Sequence, residues 1–169
     1  IQPNLISKKV ENHIKIINNT IDHIERLNIK FTENDVRKFL FSTRFLFQNI
    51  ERVLIFDNDF QLIGDTDTLD LDPRSFSQRL DIVELQTLNE TVSETVMKKK
   101  NINKEKTISL NDVLSHYVWS KDFGKPFTFT QENYNQFLLT TIKNVRIEGD
   151  NVGFLAITEN ANDVKAAID

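Results

Sequence analysis

The N-terminal part of the chain carries apolar side chains at the spacing of one helix face. Successive members lie four, three, four and three positions apart, which is the interval of a heptad repeat. The members are Val10, Ile14, Ile17, Ile21 and Ile24. The pattern predicts a helix from about Leu5 to Leu27, roughly 35 Å long at 1.5 Å per residue. Its apolar face could form the seam of a parallel dimer, or it could lie on the helix's own domain.

A second helix and a hairpin follow. Thr32 and Asp35 have the spacing of a capping box, with Asp in place of Glu, and predict the start of the second helix. Its apolar positions are Val36, Phe39, Leu40 and Phe47. Next, Arg52 to Phe56 and Gln61 to Ile63 are β-prone runs on either side of a polar turn at residues 57–59. This arrangement predicts two antiparallel strands.

The second half of the chain again changes from helix to strand. Ser109 with Asp112 predicts a short helix that ends near Trp119. Phe137 to Ile147 and Val152 to Thr158 are strand-like runs. They are joined by a segment at 148–151, whose Gly and Asn suit the positive φ angles of a hairpin turn. The two hairpins predict one central antiparallel sheet.

The patterns together predict a single α+β domain over residues 1–169. We expect a stalk helix at about 1–30, an α/β core at about 31–159 and a short C-terminal helix at about 160–169. In that last stretch Val164 and Ile168 lie four positions apart, as on one helix face. The middle of the chain, Asp72 to Thr107, is polar and helix-prone, which predicts a helix and a loop.

Composition narrows the class of function. The chain has 169 residues and is 39% hydrophobic with 13 Phe, which is enough for one packed core. A net charge of -4 gives no basic footprint, so we expect no nucleic-acid partner. The chain has no Cys, which excludes disulfides, thiolate ligands and thiol nucleophiles. Its apolar runs are far shorter than the roughly 20 residues of a membrane helix.

The stretch from residue 57 to residue 72 is the most charge-asymmetric part of the chain. Six Asp fall within these sixteen positions, with no Lys or Arg among them. They are Asp57, Asp59, Asp65, Asp67, Asp70 and Asp72. Residues two apart on a strand share a face, so Asp57 with Asp59 and Asp65 with Asp67 are expected to form like-charge pairs that favour protonation. The segment is therefore a candidate proton sensor. The alternative is a set of solvated turn aspartates that cap the backbone.

Other chemistry has weaker support in the sequence. The turn at 57–59 lacks the Gly and the twelfth-position Glu of an EF-hand loop, so we expect no metal site. The histidines show no zinc-site spacing and are expected to be exposed or partly buried; they are His13, His23 and His116. No phosphate-binding Gly loop or nucleophile elbow is present, so we expect a non-catalytic domain without a cofactor. Four phenylalanines could line a ligand cavity or form plain core: Phe39, Phe41, Phe45 and Phe47.

Two stretches carry a recognisable order of motifs. The first is RVLIFDNDFQLIGDTDTL, Arg52 to Leu69, preceded by Ser42-Thr43-Arg44. The second is NVGFLAITENANDVKAAID, Asn151 to Asp169. They resemble the stimulus-sensing region of ChvG/ExoS-type sensor histidine kinases, in which a Thr-Arg element precedes the hairpin and a Gly-containing strand ends in Ser/Thr-Glu. Phe60 stands where that family has a turn glycine. A hairpin of the first kind also occurs in PAS-like and Cache-like sensors, so the resemblance implies a sheet of that type.

The resemblance implies the signal-input domain of a two-component sensor histidine kinase. Such a domain lies in the periplasm between two helices that cross the inner membrane, and the C-terminal helix leads into the second of them. The resemblance also implies a homodimer in the full-length protein, a response to acid pH and a periplasmic repressor protein of the ExoR type as partner. The chain begins at Ile1 without Met and ends within a helical pattern, so we expect a piece of a longer protein.

Three other functions are compatible with these patterns. A ligand-binding domain of a chemoreceptor or another Cache-like sensor would need a defined aromatic and polar pocket. A calcium- or carbohydrate-binding adhesion module would be stabilised by its ligand. A hydrolase would need an organised polar triad in a cleft.

Overall fold

Three helices and two short 3₁₀ turns lie in the part of the chain that the structure describes. A computed structural model describes residues 2–47, 50, 52–69, 84–85, 108–133 and 135–164. The helices are α1 at Gln2–Arg26, α2 at Glu33–Ser42 and α3 at Leu110–Trp119. The turns occupy Arg44–Phe47 and Thr66–Thr68, and residues 162–164 are helical. Thr32 caps α2 by accepting a hydrogen bond from the Asp35 amide, as the sequence predicts.

The described ranges contain seven strands, five of which form one antiparallel sheet. In chain order the strands are β1 at Arg52–Asp57, β2 at Leu62–Asp65, β3 at Glu84–Leu85, β4 at Ile108–Ser109, β5 at Phe127–Asn133, β6 at Gln136–Ile147 and β7 at Asp150–Asn160. The large sheet has the spatial order β2-β1-β7-β6-β5, and β3 pairs with β4 separately. All neighbours in the large sheet run antiparallel. The chain is therefore α+β with a central antiparallel sheet, as predicted.

The hairpins confirm the sequence pattern, with one change at a turn and one missed strand. The β6–β7 connection passes through Glu148 and Gly149, whose φ angles are 52° and 88°. Two successive positive φ angles match the right-handed twist of paired strands. Asn151, which the sequence assigned to the turn, lies inside β7 instead. β5 was not predicted, although Phe and Thr alternate from Phe127 to Thr130 in the way of a strand.

The large sheet is covered on both faces. Val53 and Ile55 in β1 pack with apolar side chains of α1 and α2, whereas Leu54 and Phe56 pack against α3. A strand that is buried on both faces carries a continuous apolar run. This explains why β1 reads Val-Leu-Ile-Phe without alternation. Gly64 in β2 allows α2 to approach the sheet, because a Cβ there would lie 2.9 Å from Cδ1 of Leu40.

The heptad face of α1 lies on its own sheet. Ile17 and Ile24 are completely buried in the core between α1, α2 and the sheet, and Ile21 packs beside them. Val10 packs on a separate small cluster, and Ile14 is half-buried. Of the two interpretations of the heptad pattern, the structure therefore shows the helix that lies on its own domain. In this arrangement Ile17 and Ile24 are covered by the sheet of their own chain and do not face outward as a dimer seam would.

Candidate functional site

Asp57 organises the turn of the β1–β2 hairpin. Its carboxylate Oδ1 accepts hydrogen bonds from the backbone N–H groups of Asp59 at 2.9 Å and Gln61 at 3.0 Å. A side chain that caps the backbone in this way is typical of Asp in turns. The predicted like-charge pair of Asp57 and Asp59 is therefore replaced by a cap and an exposed neighbour.

Phe60 holds an unusual backbone conformation in the same turn. Its φ angle is 65°, in the left-handed region that favours Gly. The ring packs on Phe154 of β7, with 5.5 Å between ring centroids. Phe60 thus holds a backbone geometry that Gly adopts most easily, and its ring adds a contact with the α3 face of the sheet.

Asp65 and Asp67 are joined by a cation that lies outside the acidic stretch. Arg52 donates from Nε to Oδ1 of Asp65 at 3.0 Å and from Nη2 to Oδ2 at 2.6 Å. Its Nε also lies 3.3 Å from Oδ2 of Asp67. Asp65 is completely buried, so its negative charge depends on this bidentate partner. Arg52, Asp65 and Asp67 are called the Arg52 cluster below.

The Arg52 cluster fixes β1 to β2 and corrects the expected repulsion between Asp65 and Asp67. Burial by itself lowers the pKa of Arg52, but the hydrogen bond and charge of Asp65, with the charge of Asp67, raise that pKa overall. Thr66 Oγ1 accepts from the Val53 N–H at 3.0 Å and adds a backbone contact. The predicted like-charge pair is therefore a compensated ion pair. Asp70 and Asp72 lie outside the described residues.

A second polar cluster lies under α1. His13 is completely buried, which corrects the expectation that it is at most partly buried. Its Nδ1 lies 2.8 Å from Oγ1 of Thr141 in β6, and its Nε2 lies 2.8 Å from Oε1 of Glu159 in β7. Lys9, one turn earlier on α1, donates from Nζ to Oε2 of Glu159 at 3.0 Å. Lys9, His13, Thr141 and Glu159 are called the His13 cluster below.

The directions of the hydrogen bonds in the His13 cluster follow from its partners. An ionised carboxylate only accepts hydrogen bonds, so His13 Nε2 carries the proton that points to Glu159. In the neutral ring Nδ1 is then an acceptor, and Thr141 donates to it. Thr128 in β5, whose Oγ1 lies 3.3 Å from that of Thr141, can in turn donate to the Thr141 oxygen. The cluster is therefore fully paired when the imidazole is neutral.

The environment favours that neutral form. Burial lowers the pKa of His13 below its ordinary value of 6.5, the hydrogen bond and charge of Glu159 oppose this, and the positive charge of Lys9 lowers the pKa further. The net direction is downward. A proton on His13 is thus accepted more easily when α1 leaves the sheet than when it is docked.

The His13 cluster also reaches the C-terminal segment, residues 161–164. Lys9 Nζ lies 3.4 Å from Oδ2 of Asp163. The adjoining apolar cluster holds Leu139, Ala161 and Val164 together, with Val10 of α1 packed against them. The same end of the sheet therefore binds both α1 and the residues that follow β7. The histidines outside this cluster, His23 and His116, are partly buried as expected.

Thr141, His13 and Glu159 have the order of a hydroxyl–imidazole–carboxylate triad. Thr141 and His13 are both completely buried, and Glu159 is only 17% exposed. A nucleophile must be within reach of its substrate. The arrangement therefore does not provide the triad in a cleft that would favour a hydrolase.

At the other end of the sheet, a chain of hydrogen-bonded side chains links α3, β6, β7 and the β1–β2 turn. The Tyr117 hydroxyl in α3 donates to the Lys125 carbonyl at 2.6 Å and lies 3.3 Å from Oδ1 of Asn144. Asn144 donates to Asn151, and Asn151 donates to Asn58 in the β1–β2 turn. Burial raises the pKa of Tyr117, so its hydroxyl stays protonated as a donor. These hydrogen bonds hold the connected elements together. No sequence pattern indicates that these side chains pair with one another.

A small cavity opens beside the 3₁₀ turns. It has a volume of about 180 Å³ and is lined by Arg44, Phe47, Ile50, Thr66, Asp67 and Leu69. Of the four phenylalanines considered for a cavity, Phe47 lines this one and Phe39 is core. Phe41 and Phe45 are exposed at the surface.

The described residues contain no group of three or more His, Asp or Glu side chains that could hold a metal ion. Within the same ranges, no helix has the length and apolar character needed to cross a bilayer. A scan of protein-family models and a search of curated proteins find no match to the chain.

Proposed function

We propose that this chain is the signal-input domain of a membrane-bound sensor. Counted in chain order, the strands of the large sheet have the spatial order second, first, fifth, fourth, third, with α3 inserted between the second and the third. An antiparallel sheet of this kind is compatible with the PAS-like or Cache-like sheet that the resemblance implies. It supports a sensor over an adhesion module or a hydrolase.

The observation that carries the proposal is the joint attachment of α1 and the C-terminal segment to the end of β7. Lys9 contacts Glu159 in β7 and Asp163 in the segment. Val10 packs on the cluster that contains Ala161 and Val164. A movement of α1 on the sheet would therefore disturb the C-terminal segment. A stimulus that favours one of two positions of α1 could be passed on in this way.

Within this proposal, the sensor is the periplasmic domain of a two-component histidine kinase of the inner membrane. The support is the resemblance of Arg52 to Leu69 and Asn151 to Asp169 to ChvG/ExoS-type kinases. The domain itself is non-catalytic and forms a homodimer in the complete protein through a surface other than Ile17 and Ile24. Its stimulus is acid pH or release of a repressor protein of the ExoR type.

The first experiment is to read the complete open reading frame in the genome of origin. The proposal expects membrane spans on both sides of this sequence and a kinase core after the second span. A reading frame without a span and a kinase core would overturn it.

The second experiment tests the coupling itself. Lys9→Met removes the contacts with Glu159 and Asp163, and Lys15→Met on the exposed side of α1 is the matched control. Autophosphorylation of the complete protein in membranes is expected to change in Lys9→Met and to stay unchanged in Lys15→Met. Equal activities of the two variants would show that the contact does not carry the signal.

A second candidate is the ligand-binding domain of a chemoreceptor or another Cache-like sensor. The cavity beside the 3₁₀ turns favours it, because Phe47 and Leu69 provide apolar walls next to the polar groups of Arg44 and Thr66. Its volume of about 180 Å³ is below the roughly 300 Å³ of usual ligand sites, so it fits only a small molecule. Amino acids that raise the melting temperature of the wild type but not of Arg44→Met would support this candidate.

A further inference from the structure

We propose that the His13 cluster is a proton-operated latch, which helps to hold α1 on the sheet when His13 is neutral and weakens that attachment in mild acid. As a route of signalling the latch rests on the proposed function, but the release is a property of this chain and can be measured without it.

Geometry makes His13 the residue through which pH can act on the docking of α1. It is the only charged or titratable member of the cluster that is completely buried, since Lys9 and Glu159 are 18% and 17% exposed. Both ring nitrogens are used, and each bonds a different strand: β6 through Thr141 and β7 through Glu159. Release of α1 exposes the ring to water, where it takes up a proton at its ordinary pKa. In the docked, neutral ring Nδ1 carries no proton and accepts a hydrogen bond from the Thr141 hydroxyl.

The charged groups around the ring come from every element packed there. Lys9 lies on α1, Glu159 on β7 and Asp163 in the C-terminal segment. Lys143 on β6 and Glu132 on β5 share the face of the sheet that carries Thr141 and Thr128. The immediate contacts of His13 are one carboxylate, already engaged by Lys9, and one hydroxyl. A proton added to the ring would put a charge on a completely buried side chain, whose carboxylate partner already faces the cation of Lys9.

The sign of the effect follows from linkage. Because the docked pKa is lowered, the released form binds more protons than the docked form below pH 6.5. The contribution of His13 to docking is complete above that pH and is lost as the pH falls toward and through the docked pKa. Within that window the ratio of released to docked helix rises by up to about tenfold per pH unit.

The test is hydrogen–deuterium exchange of the chain at pH 7.5 and pH 5.5, corrected for the intrinsic rates. Helix α2 is the internal control, because it packs on the same side of the sheet and contains no histidine. We expect protection of the α1 amides to fall by up to about tenfold between the two pH values while α2 changes less. This pH dependence should disappear in His13→Gln. It should remain in His23→Gln, which changes a histidine ten positions further along α1.

Three results would overturn the latch. One is equal loss of protection in α1 and α2, which indicates general acid destabilisation. Another is a pH dependence that persists in His13→Gln. If His13→Gln does not fold, Thr141→Val takes its place, since it removes the hydroxyl that stabilises the neutral ring; an unchanged pH dependence of α1 in that variant overturns the latch as well. None of these results depends on the genomic reading frame, so failure of the latch and failure of the proposed function are distinguishable.

Discussion

The Arg52 cluster and the His13 cluster each join two elements of the domain through a buried ionisable group, but they differ in whether that group changes charge near neutral pH. In the first, a buried carboxylate faces Arg52, which stays charged at any pH of biological interest. In the second, the buried group is an imidazole, which changes charge close to neutral pH. The first arrangement makes a permanent brace. The second makes an attachment that can be released.

The position of each cluster matches its chemistry. Arg52 and Asp65 join adjacent strands of one hairpin, which has to stay intact in any state of the domain. His13 joins a helix to strands that lie more than a hundred positions away, so it connects parts of the chain that no local hairpin holds together.

Arg52→Met is expected to be the most damaging of these substitutions. It leaves the completely buried carboxylate of Asp65 without its cation, and breaking a buried pair in this way costs about 3 kcal/mol or more of unfolding free energy. Urea denaturation at pH 7 measures the loss. The double variant Arg52→Met, Asp65→Asn should recover part of it, because no unpaired charge remains. A loss below about 1 kcal/mol in the single variant would mean that this pair stabilises the fold no more than an ordinary surface ion pair does.

Thr141→Val is expected to cost about 1 to 2 kcal/mol, since it leaves the buried Nδ1 of His13 without a donor. Thr140→Val is the matched control, because Thr140 is also buried and its hydroxyl bonds only Thr158 in the neighbouring strand. Both variants lose stability at pH 7.5. Only Thr141→Val should also weaken the pH dependence of stability between pH 7.5 and 5.5. The same pH dependence in both variants would show that the Thr141 hydroxyl has no specific role in the pH response of His13.

Lys9→Met should reduce stability only slightly, by about 0.5 kcal/mol, because its contacts with Glu159 and Asp163 are near the surface. Its larger effect is on the pH profile. The positive charge of Lys9 lowers the pKa of His13, so its removal moves that pKa back toward 6.5 and narrows the window of pH-dependent docking. Thermal melts from pH 8 to pH 5 measure the profile. A profile that coincides with that of Lys15→Met would exclude Lys9 from the latch.

Asp59→Asn is expected to have the smallest effect. Asp59 is exposed, and only its backbone N–H takes part in the turn, where it donates to Asp57. We therefore expect no measurable change in the midpoint of urea unfolding at either pH 7.5 or pH 5.5. If the pH dependence of stability disappears in this variant, the proton sensor is the acidic hairpin and not His13.

The sequence predicted those parts of the fold that depend on neighbours along the chain. The cap of α2 by Thr32, the β1–β2 hairpin and the β6–β7 hairpin are all local patterns, and all are confirmed. The heptad pattern of α1 could not decide between a dimer seam and a core face, since both need the same spacing. That decision depends on the sheet that α1 meets, which a helix pattern does not contain.

The two buried polar clusters were harder to predict for the same reason. The acidic stretch is visible in the sequence as a charge pattern. In the fold, however, Arg52, five positions before the first Asp of the stretch, neutralises the charge of Asp65. The partners of His13 lie 128 and 146 positions away. The one local signal was Lys9 and His13 at a spacing of four on one helix face. Without the register of β6 and β7, that signal cannot be told apart from two solvated side chains.

The most direct measurement of the central claim is an NMR titration of the His13 ring in the intact chain. Nitrogen-15 labelling of the histidines identifies the tautomer, and the ring shifts report the pKa. We predict a neutral ring at pH 7 with the proton on Nε2, as the contacts with Glu159 and Thr141 require, and a pKa below 6.5. Loss of α1 protection should accompany the titration. A proton on Nδ1 at pH 7, or a pKa at or above 6.5, would contradict the latch.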